Sequence, residues 1–156
     1  MGRERPYDVA VVGGGASGLA AALSAARSGA SVLVIERDVE AGLPILATGN
    51  GRCNLSNARL DPERYRHPEV ARAVMGERPE EELSAFFDSL GLLTCEEDGR
   101  LYPYSRRADS VRDALLMSAA PAADLACCAD LRRAAFDPSA GAWDLVLAEP
   151  AGPLPR

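Results

Sequence analysis

The chain has 156 residues, 47% of them hydrophobic, which is enough for one domain of ordinary size with its own core. Its formal net charge is −6, with 23 acidic residues against 17 basic ones. Because no basic field would attract phosphate backbones or anionic headgroups, we expect neither nucleic acid nor a membrane surface as a partner. The apolar run before the first glycines is too short for a signal peptide, so we expect a cytoplasmic location.

A glycine-rich motif near the N-terminus indicates a dinucleotide-binding unit. A short apolar run leads into Gly13-x-Gly15-x-x-Gly18, and a second apolar run ends at Glu36. Gly13 permits a tight turn, Gly15 lets the backbone approach a pyrophosphate, and Gly18 lets a helix pack close to a strand. The phosphates would contact free N–H groups at the helix N-terminus. Glu36 is placed to accept hydrogen bonds from an adenosine ribose 2′-hydroxyl, whereas the adjacent Arg37 could assist a 2′-phosphate.

Hydrophobic periodicity around this motif predicts an α/β fold with a Rossmann-like βαβ unit. Strands are expected at about 7–12 and 31–35, on either side of a helix at about 16–28. The segment 37–66 has no clear periodicity. Since a long irregular segment in a compact domain is usually functional, we expect ligand specificity to lie there.

The second half of the chain predicts two helices, a hairpin and a small antiparallel β-meander. One helix should begin at Pro79, where three glutamates would stabilise its N-terminus, so we interpret this acidic run as a helix start rather than an acid/base pair. A hairpin should turn at Glu96-Glu97-Asp98-Gly99. A further helix is expected at about 108–119, and the meander strands are expected at about 125–129, 132–136 and 143–148.

The four cysteines give no sign of a metal site or a disulfide framework. Cys53, Cys95, Cys127 and Cys128 have no CxxC spacing, and His67 is the only histidine. We therefore predict reduced thiols and no bound metal. Cys53 is expected to be a packed residue rather than a redox thiol, because no second cysteine lies in its motif.

A second polar motif, at 42–57, reads GLPILATGNGRCNLSN. Gly49 and Gly51 would let the backbone approach a ligand closely, and Arg52 could donate to a phosphate or a ring carbonyl. The segment also offers short hydrogen-bonding side chains, from Asn50, Asn54, Ser56 and Asn57. Such a loop suits a polar heterocycle. The alternative is an ordinary cluster of Asn/Gly turns.

The motifs together resemble a known family. The segments VVGGGASGLAAA, VLVIE, ILATGNGRCNLSN and GRLYPYSRRADSVRDAL are similar to the BaiN-like or aminoacetone-oxidase-type FAD-dependent oxidoreductases, over roughly 7–116. This resemblance implies FAD as cofactor. It also implies which residues hold the ADP half, namely Gly13, Gly15, Ala16, Ser17, Gly18 and Glu36, and which lie near the flavin, namely Gly51, Arg52, Cys53 and Asn54.

The chain departs from that family in two respects. Leu43 and Pro44 stand where family members commonly have basic residues, and the chain is much shorter than those members. The resemblance therefore implies that 1–156 is the N-terminal part of an FAD-binding domain, without the substrate domain and the C-terminal FAD-binding segment. On its own such a fragment is expected to be inactive.

The leading functional hypothesis is a flavoprotein oxidoreductase that transfers hydride between flavin and a small organic substrate, with NAD(P)H as a candidate partner. The cofactor carries out such chemistry while the protein orients it, so the sequence identifies no catalytic acid or base. One alternative is a fragment of a fumarate-reductase-like flavoprotein. The other is a non-catalytic adenine-nucleotide-binding module or an inactive truncated product.

Overall fold

The computed structural model describes residues 7–148. In chain order the elements are β1 (Val9–Val12), α1 (Ala16–Arg27), β2 (Val32–Ile35), α2 (Leu43–Leu46), β3 (Ser56–Asn57), α3 (Pro68–Met75), α4 (Pro79–Ser89), β4 (Thr94–Glu97), β5 (Arg100–Pro103), α5 (Ala108–Ala119), β6 (Asp124–Ala126), β7 (Leu131–Asp137) and β8 (Ala142–Leu147), with 3-10 turns at Thr48–Gly51 and Pro62–Arg64. They belong to two compact units. The first unit falls within Met1–Pro44 and Leu115–Arg156, and the second is Ile45–Ala114.

The first unit is built on the predicted βαβ pattern. Strands β1 and β2 are parallel neighbours, with Val9 opposite Val32. Helix α1 presents Leu19, Ala22 and Leu23 as its buried stripe. Ala22 packs with β2 in the core, because the helix stripe and the strand both offer small or branched apolar side chains there. The α/β class and the parallel strand pair are therefore confirmed.

The tail of the chain differs from the predicted meander. Strand β6 pairs in parallel with the free edge of β2, giving the order β1-β2-β6. Of the three tail strands that the structure describes, β7 and β8 alone form an antiparallel hairpin. Leu125 of β6 packs against the same apolar cluster as Ala22, which places this strand in the sheet. The strand ends at Ala126 rather than near Ala129, because the Ala129 N–H turns to donate to the Glu36 carbonyl at 2.8 Å.

The second unit contains a small antiparallel sheet in the order β3-β5-β4. Its hairpin turns at Asp98-Gly99, both with positive φ as a type I′ turn requires. Glu96 and Glu97, predicted to be turn residues, instead belong to β4. Helix α4 begins at Pro79 as predicted, while the short helix α3 was not predicted, although Pro68 at its first position is a typical start signal.

Candidate functional site

The three glycines of the first motif are required for different structural reasons. Gly13 has a φ of +100°, which L side chains rarely adopt. A Cβ added to Gly18 would lie 1.9 Å from the Gly13 carbonyl oxygen, so close packing of the turn and α1 excludes any side chain there. Apart from its two chain neighbours, a Cβ added to Gly15 would meet no protein atom within 4 Å. The fold therefore explains Gly13 and Gly18, whereas Gly15 faces open space.

The N-terminus of α1 lies directly beside that open space. Gly15 is the N-cap residue and the helix begins at Ala16. The first N–H groups of an α-helix have no acceptor within the helix, and they carry the positive end of its dipole. The first turn of α1 contains no acidic side chain that would neutralise this positive end. Ala16, Ser17 and Gly18 thus present donors suited to phosphate oxygens.

Glu36 follows directly after β2 and is buried, with only 7% of the residue exposed. Its Oε2 accepts a hydrogen bond from the Gly14 N–H at 2.6 Å, and its Oε1 accepts one from the Asp38 N–H at 2.9 Å. Each carboxylate oxygen has a second lone pair, so the group can still accept bonds from ribose hydroxyls. The sequence did not predict the bond to Gly14, which ties the glycine turn to the end of β2.

A cavity of about 350 Å³ lies at the carboxyl ends of the first unit's parallel strands. It includes four of the predicted site residues, Gly13, Gly15, Glu36 and Arg37, and its full lining is Val12, Gly13, Gly15, Ile35, Glu36, Arg37, Asp38, Pro44, Ala129, Asp130 and Leu131. The Arg37 side chain is 78% exposed and lies 4.0 Å from Asp38 Oδ1. Ligands of parallel α/β sheets bind at this edge.

Sequence reasoning missed the part of this cavity that comes from the tail, Ala129 to Leu131. These residues line it because the chain after β6 stays beside the end of β2. There the Cys128 N–H donates to the Asp38 carbonyl at 2.9 Å. Recognising β6 as a parallel strand would have pointed to this loop, since loops at the carboxyl ends of such strands form the ligand crevice.

The second predicted set of residues, Gly51 to Asn54, lies in the second unit. The 3-10 turn Thr48–Gly51 overlaps the start of this set. The backbone is left-handed at Asn50 within the turn and at Cys53 after it, with a φ of +53° at both residues. Cys53 is buried, and its N–H donates to the Thr48 carbonyl at 3.1 Å. Left-handed non-glycine residues cost of order 1–3 kcal/mol each and occur preferentially at ligand sites. The segment is therefore a tightly bonded turn with a strained backbone.

Arg52, predicted to donate to a ligand, is held by protein groups. Its Nη2 donates to both carboxylate oxygens of Glu97 at 2.9 Å, and its guanidinium carbon lies 4.5 Å from the centre of the Tyr102 ring. Arg106 also forms an ion pair with Glu97. Sequence reasoning did not identify Glu97, Tyr102 or Arg106 as site residues. The only signal was their place in or beside the GRLYPYSRR segment that carried the family resemblance.

All four cysteines are free, and within residues 7–148 no cluster of three or more His, Cys, Asp or Glu could hold a metal ion. No helix in that range is long and apolar enough to cross a membrane.

Burial raises the pKa of the Cys127 thiol, and the negative charges of Glu36 and Glu40 act in the same direction. In a Cys128→Ser variant, we therefore expect Cys127 to be alkylated more slowly than a free cysteine at pH 8, with a rate profile displaced to higher pH. Peptide mass spectrometry after timed exposure to iodoacetamide measures this. A profile with its midpoint at or below the ordinary value of about 8.5 would contradict the expectation.

A parallel sheet, a glycine-rich turn that opens a helix, and a carboxylate at the end of the next strand define a Rossmann-like dinucleotide-binding fold. The family described as the HI0933-like protein Rossmann domain matches residues 7–127, and the chain belongs to this family. The family is an FAD-binding Rossmann domain family of flavoprotein oxidoreductases. The resemblance inferred from the motifs is thereby confirmed.

The chain is also similar to individual proteins, in sequence or in fold. The chain is 46% identical over 113 residues to the 3-dehydro-bile acid delta(4,6)-reductase of Clostridium scindens, a match that covers 70% of this chain and 28% of that protein. The fold of this chain resembles that of 3-ketosteroid-delta4-(5alpha)-dehydrogenase from Rhodococcus jostii. The TM-score is 0.62 at 15% identity, and the match covers 95% of this chain and 45% of the dehydrogenase. The fold also resembles that of aklavinone-11 hydroxylase, solved in complex with FAD and aklavinone, with a TM-score of 0.53, 20% identity, and coverage of 97% and 31%.

Proposed function

We propose that residues 7–148 form part of the FAD-binding domain of a flavoprotein oxidoreductase that acts on a small organic molecule. One arrangement carries this proposal: Glu36, buried beside a cavity, lies opposite a glycine turn whose Gly15 faces open space. A bound flavin would supply hydride-transfer chemistry, while the protein would supply binding and orientation.

The first unit would hold the ADP half of FAD. The N–H groups of Gly15, Ala16, Ser17 and Gly18 would bind the pyrophosphate, since they combine a helix dipole with a backbone free of side chains. The free lone pairs of the Glu36 carboxylate would accept the ribose hydroxyls. Arg37 would remain at the exposed rim of the cavity.

The second unit would contribute at the flavin end. Family resemblance supports this role for Gly51, Arg52, Cys53 and Asn54, and their strained, closely bonded turn is the kind of backbone found at ligand sites. Cys53 is buried, as a packed residue would be. We assign it no redox role.

The direction of the reaction and the electron donor belong to the same proposal. The Clostridium relative is named as a reductase, which favours reduction of an organic substrate by a reduced flavin, with NAD(P)H as the candidate donor. The chain spans 28% of that relative's length. We therefore propose a small organic molecule as substrate and name no particular compound.

A non-catalytic adenine-nucleotide-binding module is the second candidate, because the first unit by itself contains the phosphate turn and the ribose acceptor. Flavin separates the two candidates. The FAD hypothesis predicts that FAD binds more tightly than ADP, whereas a plain nucleotide module would bind the two equally. Competition between FAD and ADP, followed by flavin fluorescence, measures the difference.

Nucleotide preference tests the adenosine site. We expect the 156-residue chain to bind ADP about tenfold or more tightly than 2′-phospho-ADP, because a 2′-phosphate would face the Glu36 carboxylate. Calorimetric titration with both ligands measures this ratio. An Arg37→Gln variant is the control and should keep the same preference. Tighter binding of the 2′-phosphorylated ligand would refute the assignment of Glu36.

A further inference from the structure

A cluster of charged side chains in the second unit consists of Arg52, Glu97 and Arg106, with the Tyr102 ring beneath them; we call it the arginine cluster. Both guanidinium groups pair with the single Glu97 carboxylate. Their carbons lie 4.5 Å (Arg52) and 5.8 Å (Arg106) from the centre of the Tyr102 ring. Tyr102 is buried, so the ring gives both cations a fixed support.

The arginine cluster has more positive than negative charge. Arg52 and Arg106 share the single Glu97 carboxylate, so one positive charge within the cluster is not matched by a carboxylate. An oxyanion would restore local neutrality without removing any contact that the cluster already makes.

Both arginines also have donors to spare. A guanidinium carries five N–H groups, and within residues 7–148 the hydrogen bonds of Arg52 use only Nη2 while the ion pair of Arg106 uses Nη1. The side chains are 39% and 38% exposed, so these donors are accessible from solvent. Arg52 precedes the left-handed Cys53, and Arg106 is itself left-handed with a φ of +56°. Both side chains are thus presented from constrained backbone.

We propose that Arg52 and Arg106, positioned by Glu97 and Tyr102, form a binding site for an oxyanion group, a carboxylate or a phosphate, carried by a small-molecule ligand. Planar guanidinium groups match the geometry of such anions and can bind them through two parallel hydrogen bonds. Pre-positioning by Glu97 reduces the entropy lost when the anion binds. The proposal does not depend on FAD binding by the first unit.

In the test, the 156-residue chain is labelled with ¹⁵N-arginine and kept at low ionic strength. Inorganic phosphate and acetate are titrated into separate samples. We expect the side-chain resonances of Arg52 and Arg106 to shift together and to saturate. An Arg106→Gln variant should weaken phosphate binding about tenfold, the effect of losing a charge-assisted hydrogen bond. The matched control is Arg107→Gln, because Arg107 pairs with Asp109 outside the cluster and its loss should leave affinity unchanged.

Absence of saturable shifts at Arg52 and Arg106 would overturn the site, even if the Arg106→Gln variant failed to fold. Equal weakening by Arg107→Gln would also overturn it, since that result indicates only a diffuse field. A repeat with saturating FAD then assigns the source of the anion. FAD has no oxyanion besides the pyrophosphate proposed to bind in the first unit, so retained phosphate-induced shifts of Arg52 and Arg106 would place the anion on the substrate. Loss of those shifts would mean that bound FAD itself covers the two arginines, and it would overturn a separate oxyanion site. If the chain binds no FAD, the titrations without it still decide the anion site.

Discussion

Replacing Glu36 by alanine is expected to weaken ADP and FAD binding by about 1.5–3 kcal/mol, the range for a hydrogen bond to a charged group. The same change should lower the free energy of unfolding of the ligand-free chain by about 1–3 kcal/mol, because the Gly14 N–H loses its buried acceptor. Calorimetric titration measures the first effect, and urea unfolding followed by circular dichroism measures the second.

Two control variants separate these roles of Glu36. Glu36→Gln retains one acceptor oxygen but places an amide group against either the Gly14 or the Asp38 N–H, so it should give an intermediate loss of stability. Asp38→Ala removes a neighbouring carboxylate of the cavity wall and keeps the backbone N–H that bonds Glu36, so it should affect both quantities least. If Glu36→Ala left affinity and stability unchanged, both roles of the carboxylate would be wrong.

Alanine at Gly18 and alanine at Gly15 are expected to have opposite consequences. The Gly18→Ala methyl group would lie 1.9 Å from the Gly13 carbonyl oxygen, so α1 must move away from the turn. We expect a loss of about 3 kcal/mol in unfolding free energy, at the upper end for overpacking. Urea unfolding measures it. A stability within a few tenths of a kcal/mol of the unsubstituted chain would contradict this packing account of Gly18.

The Gly15→Ala methyl group would contact no protein atom, and Gly15 already has a φ of −74° that alanine adopts freely. The loss of stability should therefore be limited to about 1 kcal/mol, the usual cost of alanine at an N-cap. ADP affinity, in contrast, should fall about tenfold or more, because the methyl group fills the space proposed for the pyrophosphate. Normal ADP binding by a folded Gly15→Ala variant would refute this phosphate site.

Sequence alone was sufficient for the features that depend on neighbouring residues. The glycine spacing and the two flanking apolar runs predicted β1, α1 and β2, because turn geometry and hydrophobic periodicity act over a few residues. Helix α5 spans the predicted 108–119 for the same reason. The motif also predicted the place of Glu36, because in such a unit the acidic residue at the end of the second strand contacts the adenosine ribose.

Only the tertiary structure decided the features that join distant segments. Strand β6 could have paired in a meander, and its place beside β2 depends on a free sheet edge and on the shared apolar core. The cavity therefore gained Ala129 to Leu131, which no local pattern could assign to it. Arg52 and Glu97 are 45 residues apart, and the sheet order brings together β3, which follows Arg52, and β4, which contains Glu97, on the two sides of β5. Such contacts depend on the path of the whole chain, because side-chain type and spacing do not specify which distant partner a charged group will reach.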